Sequence, residues 1–270
     1  SEKWITKIFP KKTVPSMIIG IVAGFFLPVC DCASIPVFKS LIRKGIPLPA
    51  AVCFMTASPV INPVVVLSTY HAYNGNVRAV LYRCGTGILC SFLVGLTFLI
   101  RSPEDFLRND ADMGNFCPCG CYVSETYPDT LGGRFNQFCT HARTEFYTVS
   151  RYLLAGIGVS VLFQMLNLNR IGTLGNRWIP VSVFFMMLLA FLLSLCSSSD
   201  AVVARSLSGT SDFLPTLGFL VYGPMMDIKN VILLHSYFKK NFILRLVFTV
   251  TVICYGVVVL LGILTGGIGI

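Results

Sequence analysis

Leu27-Pro28-Val29-Cys30-Asp31-Cys32-Ala33-Ser34-Ile35-Pro36-Val37-Phe38-Lys39-Ser40-Leu41 interrupts one apolar stretch of the chain. Leu193-Ser194-Leu195-Cys196-Ser197-Ser198-Ser199-Asp200-Ala201-Val202-Val203-Ala204-Arg205-Ser206-Leu207 interrupts another. At a shift of 166 residues Leu27, Cys30, Ser40 and Leu41 fall on Leu193, Cys196, Ser206 and Leu207, and Lys39 falls on Arg205. Polar, helix-breaking residues at the same place in two hydrophobic repeats mark where a membrane protein builds a solute site.

The surroundings of these breaks are membrane-like. The chain is 54% hydrophobic and 12% charged, with mean hydropathy +0.75. A soluble domain carries about 25% charged residues. Uncharged runs such as Gly85 to Ile100 and Val181 to Leu195 approach the roughly 20 residues that cross a bilayer. Strand alternation is absent, so the expected class is an all-α polytopic membrane protein. The net charge of +9 does not point to nucleic acid, because the basic residues gather at the ends of the apolar runs. Lys3, Lys7, Lys11 and Lys12 precede the first run, and Lys239 and Lys240 separate two late ones, as orientation signals do.

Seven apolar segments follow. Segment A spans 14–41, B 47–73 with a break at Ser58-Pro59-Val60-Ile61-Asn62-Pro63, and C 77–100. A polar stretch, 101–145, separates these from D at 146–168. A′ (178–207), B′ (213–238, broken at Gly223-Pro224-Met225-Met226-Asp227) and C′ (242–264) then repeat A, B and C. Pro59 matches Pro224, Asn62 matches Asp227 and Asn76 matches Asn241, all at a shift of 165. The expected organisation is a first membrane repeat over 1–100, a Cys-rich loop over 101–145 and a second repeat over 146–270. Each repeat would hold about four helices, with the partner of D lying before Ser1. The breaks are expected to be broken helices or re-entrant hairpins at mid-membrane, and on either reading the four crossings from A to D predict parallel repeats related by an axis along the membrane normal. The side holding the N-terminus, Arg78, Arg83, Arg170, Arg177, Lys239, Lys240 and Arg245 is read as cytoplasmic, against Arg43, Lys44 and Arg101.

Chemistry concentrates in the breaks. Pro28, Pro36, Pro59, Pro63 and Pro224 free backbone carbonyls and remove donors, creating half-helix ends that present partial charges. Cys30 and Cys32 flank Asp31 as a pair of soft ligands, with Cys196 as the counterpart in the second repeat; thiolates select thiophilic ions. The competing reading treats cysteine as a small hydrophobe, which suits Cys53, Cys84, Cys90 and Cys254. Asp31, Asp200 and Asp227 lie at membrane depth, where a charge costs at least ~2.5 kcal/mol. Asp31 and Asp200 are candidates for proton coupling; they could equally cap the half-helices that follow. Ser58, Pro59, Asn62, Pro224 and Asp227 are candidates to line the site. In the loop, Cys117, Cys119, Cys121 and Cys139 could form disulfides, hold a metal or relay a soft ion. His71 and His235 read as interfacial. Motifs of phosphate-binding loops, zinc proteases and serine hydrolases are absent, so neither an enzyme nor a cofactor is expected.

The run Pro28-Val-Cys-Asp-Cys-Ala-Ser-Ile-Pro36, with Gly45-Ile-Pro47 and Phe54-Met-Thr-Ala-Ser-Pro59-Val-Ile-Asn62-Pro63, resembles the bacterial permease family that includes the organoarsenical efflux permeases. The likeness covers nearly the whole chain. It implies an eight-helix permease of two related halves in the bacterial plasma membrane. Some members resemble efflux carriers for trivalent organoarsenicals. Others resemble one subunit of a two-component complex with a second membrane protein. Three functions therefore compete: a secondary transporter of a small thiophilic or anionic solute, a non-transporting membrane subunit, and a thiol-redox membrane enzyme. The expected partners are the solute or metalloid, the bilayer and a second membrane subunit.

Overall fold

The structure is a computed structural model that describes residues 13–27, 29–99, 179–208 and 213–265, together with the isolated helical positions Arg143, Tyr147, Ser150 and Leu154. Pro28, nearly all of segment D and the loop cysteines Cys117, Cys119, Cys121 and Cys139 lie outside the described residues. Among the described residues ten helices follow in order: α1 Thr13–Phe26, α2 Asp31–Arg43, α3 Leu48–Ile61, α4 Pro63–Ala72, α5 Val77–Leu96, α6 Ile179–Leu193, α7 Asp200–Ser208, α8 Phe213–Met225, α9 Ile228–Tyr237 and α10 Lys240–Thr265. No strand occurs among the described residues.

Each expected break is present. A divides into α1 and α2, B into α3 and α4, A′ into α6 and α7, and B′ into α8 and α9. Among the described residues four stretches are long and apolar enough to cross a membrane: Leu48–Ala72, Val77–Leu96, Phe213–Tyr237 and Lys240–Thr265. The chain is thus an all-α, multi-pass membrane protein. Helices α1 and α6 have only 14 and 15 residues. At 1.5 Å per residue they reach about 21 Å, short of a ~30 Å hydrocarbon core.

Close contacts fix the direction of every helix. A Cβ added to Gly20 would lie 2.5 Å from the Ala50 carbonyl oxygen, and one on Gly24 3.1 Å from Ser58. Residue numbers climb together, so α1 and α3 are parallel. Helix α2 must therefore bring the chain back to the foot of α3, and A is a re-entrant hairpin. The second half repeats this. Gly218 faces Val183 and Met187, and Gly223 faces Ala190, so α6 parallels α8 and A′ is also a hairpin. B, by contrast, passes straight through. Helix α5 runs back along it, with Gly95 against Cys53, Gly87 against Val60 and Arg83 bonded to Thr69. Helix α10 returns along B′ likewise, from Cys254 beside Met225 to Gly262 beside Leu214.

The two halves are inverted, which corrects the parallel arrangement expected from counting crossings. Phe98, just past the end of α5, packs on Phe242 at the start of α10, with ring centroids 5.7 Å apart. Tyr73, at the end of B, packs on Phe213 at the start of B′, at 5.4 Å. Phe38 of α2 meets Phe238 at the end of B′. Parallel repeats would bring matching ends together; here ends meet beginnings. The count failed because it treated A and B alike, whereas A is a hairpin that adds no crossing and B a broken span that adds one.

Inversion also regroups the charges. Arg43, Lys44, Lys239 and Lys240 share one side, and Arg78 lies on the other. Arg83 is no loop charge at all: it is 1% exposed, inside the bundle. Pro36 needs correction too, because α2 continues through it and builds no helix end there.

The hairpins are exchanged between halves. Helix α2 lies along α9, with Asp31 at Lys229 and Lys39 stacked 4.3 Å over the Tyr237 ring. Helix α7 lies along α4, with Arg205 donating to the Ala72 carbonyl at 2.7 Å and sitting over Tyr73. One apolar core, drawn from both halves, packs around α3 and α8, whose residues are buried throughout. A helix apolar on every face is stable only when enclosed.

Candidate functional site between the hairpin tips

The breaks in B and B′ are shaped by their caps. Asn62 closes the break in B: its side-chain oxygen accepts from the Val64 amide at 2.7 Å, with Pro63 at the first helical position. Asp227 does the same in B′, accepting from the Asn230 amide at 2.7 Å. These two residues match in the repeat and play the same local role. The tips also agree. The Cys30 carbonyl accepts from Ala33 and Ser34 amides, and the Cys196 carbonyl accepts from Ser199 and Asp200 amides, so the shift of 166 holds in the backbone.

The first tip rests on the break in B. Ser58 Oγ and Asn62 Nδ2 both donate to the Val29 carbonyl at 3.4 Å. The second tip reaches α4, where Ser68 donates to the Ser198 carbonyl. Ser194 adopts φ +48°, a left-handed backbone that turns the chain sharply after α6.

Lys229 ties these parts together. It is 5% exposed. Its ammonium lies 2.5 Å from Asp31 Oδ2 and 2.8 Å from Asp227 Oδ2. It donates to the carbonyls of Leu195 at 2.8 Å and Ser194 at 3.2 Å. One ammonium thus joins the first tip, the second tip and the break in B′. Asp200 is neutralised separately. Arg83 donates to both its carboxylate oxygens, at 3.0 and 2.6 Å, and to Thr69 Oγ1 at 2.7 Å. Each tip therefore carries a buried aspartate, and each aspartate takes its base from the other half.

The expected site residues are gathered unevenly. Asp31 and Asp227 belong to the Lys229 cluster, while Ser58 and Asn62 hold the first tip through the Val29 carbonyl. Pro59 and Pro224 sit in the last turns of α3 and α8, just ahead of the breaks. Cys30 and Cys196 are exposed at their tips, Cys32 is half-buried, and the Cys196 thiol is 3.3 Å from Ser198 Oγ. Cys32 lies within electrostatic range of Asp31, Cys30, Lys229 and Asp227. None of the seven described cysteines is in a disulfide, and Cys53, Cys90 and Cys254 are buried as small hydrophobes. Among the described residues no three His, Cys, Asp or Glu side chains are grouped to hold a metal ion. Lys229 and Arg83 were missed by sequence reasoning. The available signal for Lys229 was a charge two residues after a matched break.

Residues 1–266 match the family described as "Predicted permease". The chain belongs to that family. Two relatives align along most of their length. One is "UPF0718 protein YcgR" of Bacillus subtilis (strain 168), 34% identical over 254 residues, covering 94% of this chain and 83% of the relative. The other is "Putative two-component membrane permease complex subunit" of Streptococcus mutans, 30% identical over 249 residues, covering 92% and 80%. No solved structure matches the chain. Membership of the predicted-permease family and, among the described residues, four stretches fit to cross a bilayer make this a multi-pass membrane permease, and transport rather than enzymatic chemistry is what the family implies.

Proposed function

We propose that the chain is a secondary transporter of a small thiophilic solute, such as a trivalent organoarsenical, taken up between the two hairpin tips. The observation that carries this is the pair of exposed thiols, Cys30 and Cys196, at matching positions on tips that converge on one buried cluster. Soft thiolates suit such a solute. Cys32 is the third thiol, and Ser58, Pro59, Asn62, Pro224 and Asp227 shape the walls. Asp200 is held by two hydrogen bonds from its own arginine, which favours a structural role. Asp31 shares its lysine with Asp227, which favours Asp31 as the proton-coupling carboxylate. Arg43, Lys44, Lys239 and Lys240 favour a cytoplasmic location for their common side in a bacterial cell.

Export of a trivalent methylarsenical from cells, with and without the chain, tests the reading. Wild type lowers intracellular arsenic, and Cys30→Ser with Cys32→Ser, or Cys196→Ser alone, abolishes the effect. Unchanged export in both variants removes the thiols from the site. The Streptococcus relative's name favours a second reading, in which the chain works as one subunit of a two-component permease. Transport that appears only when a second membrane protein is supplied selects that reading.

A further inference from the structure

We propose that the oxygens around Lys229 form a monovalent-cation site, and that the Lys229 ammonium is its tethered occupant. The role of this site in transport rests on the permease reading above. Four oxygens from three separate segments surround the nitrogen: Asp31 Oδ2 at 2.5 Å, Asp227 Oδ2 at 2.8 Å, Leu195 O at 2.8 Å and Ser194 O at 3.2 Å. An ammonium has three protons to donate. Four oxygens around it are the shell of an ion more than a set of hydrogen-bond partners. Carboxylates and carbonyls are the hard donors that bind alkali and alkaline-earth cations.

The carbonyls come from the right place. Ser194 and Leu195 follow the last residue of α6, where unpaired carbonyls carry the negative end of the helix dipole. Broken helices in transporters present such half-helix ends to sodium ions. The left-handed turn at Ser194 reverses the chain at that end, and the Ser194 hydroxyl accepts from the Lys229 amide at 3.3 Å. The same carboxylate keeps a second oxygen in reserve. Asp31 is 1% exposed, yet its Oδ1 has no hydrogen-bond partner. The cluster therefore holds acceptor capacity that the lysine does not use.

Charge supports the exchange. Two carboxylates and one ammonium sum to one negative charge, and a sodium ion in place of the ammonium leaves the same sum. The position matching Lys229 in the first half is Val64, so the built-in cation belongs to one half only. A free ion would escape whenever the tips separate; a tethered one stays. Transport by this permease accordingly needs no sodium, and removing the lysine side chain creates a need for it.

Thermal unfolding of the purified full chain in detergent, in sodium, potassium, choline or calcium chloride at equal ionic strength, tests this. Wild type should melt at the same temperature in all four. Lys229→Ala should melt several degrees higher in sodium than in choline, with saturation, and adding Asp31→Asn should erase the difference. Lys229→Met, which fills the space, serves if the alanine variant is poorly recovered; recovery of Lys229→Ala in sodium alone also supports the site. Equal melting of both variants in sodium and choline overturns it, as do a calcium preference or failure to recover either variant in any salt. No solute is needed, so a null result leaves the thiol-export reading intact. Loss of arsenical export together with a sodium response separates the two in the other direction.

Discussion

Asp31, Asp200 and Asp227 look alike as acidic residues at membrane depth, but their neighbours set them apart. Asp200 has a dedicated partner in Arg83, whose side chain is 1% exposed. Breaking a buried pair from one side strands the other charge, typically at about 3–5 kcal/mol, whereas replacing both members with apolar residues is often neutral. Arg83→Met should therefore lower the melting temperature sharply, and Arg83→Met with Asp200→Leu should regain most of the loss. A single variant as stable as wild type would show the pair to be dispensable. The sequence made the three aspartates visible because a charge in an apolar run stands out. It did not make their partners visible. Arg83 sits six residues into an apolar helix, where it reads as a flanking charge, and only the inverted packing brings it to Asp200. Lys229 needed a tertiary contact across the two halves to acquire meaning, and no local pattern encodes that.

At the scale of elements, the breaks were legible and the direction of the chain after each break was not. Proline, asparagine and aspartate caps are local signals, and they put the helix ends within a few residues of where they lie. Whether a break turns the chain back or lets it continue depends on which helix receives the next one. In A the decision rests on glycines that allow α1 to lie against α3. Gly20→Ala puts a Cβ 2.5 Å from the backbone oxygen of Ala50, which cannot rotate away. Overpacking of this kind costs about 1–3 kcal/mol. Gly85 provides the control, since nothing lies within 4 Å of its added Cβ. Gly85→Ala should be neutral or gain roughly 0.5–1 kcal/mol from helix propensity. Thermal unfolding in detergent separates the two; equal stability of both variants would mean that α1 does not need the close approach.

At the scale of the molecule, inversion relates the two halves by turning one over in the membrane. Each half presents one hairpin and one broken span, and the hairpin of each half leans on the span of the other. Such symmetry is how inverted repeats exchange inward-facing and outward-facing states about a fixed site. The arrangement makes a prediction that a parallel fold cannot share. Asn74 and Lys239 occupy matching loops at a shift of 165. In parallel repeats they would lie on one side of the membrane. Here the turn at Asn74 joins B to α5 on the side where Tyr73 meets Phe213, while Lys239 precedes α10 where Phe98 meets Phe242. An epitope inserted after Asn74 should be reached by impermeant protease in spheroplasts, and one inserted after Lys239 only in everted vesicles. A third epitope at Gly45, between α2 and α3, should behave as the Lys239 epitope does, because B crosses the bilayer between Gly45 and Asn74. Protection of Asn74 and Lys239 epitopes on the same side would undo the inversion, and a Gly45 epitope that sides with Asn74 would mean that B does not cross.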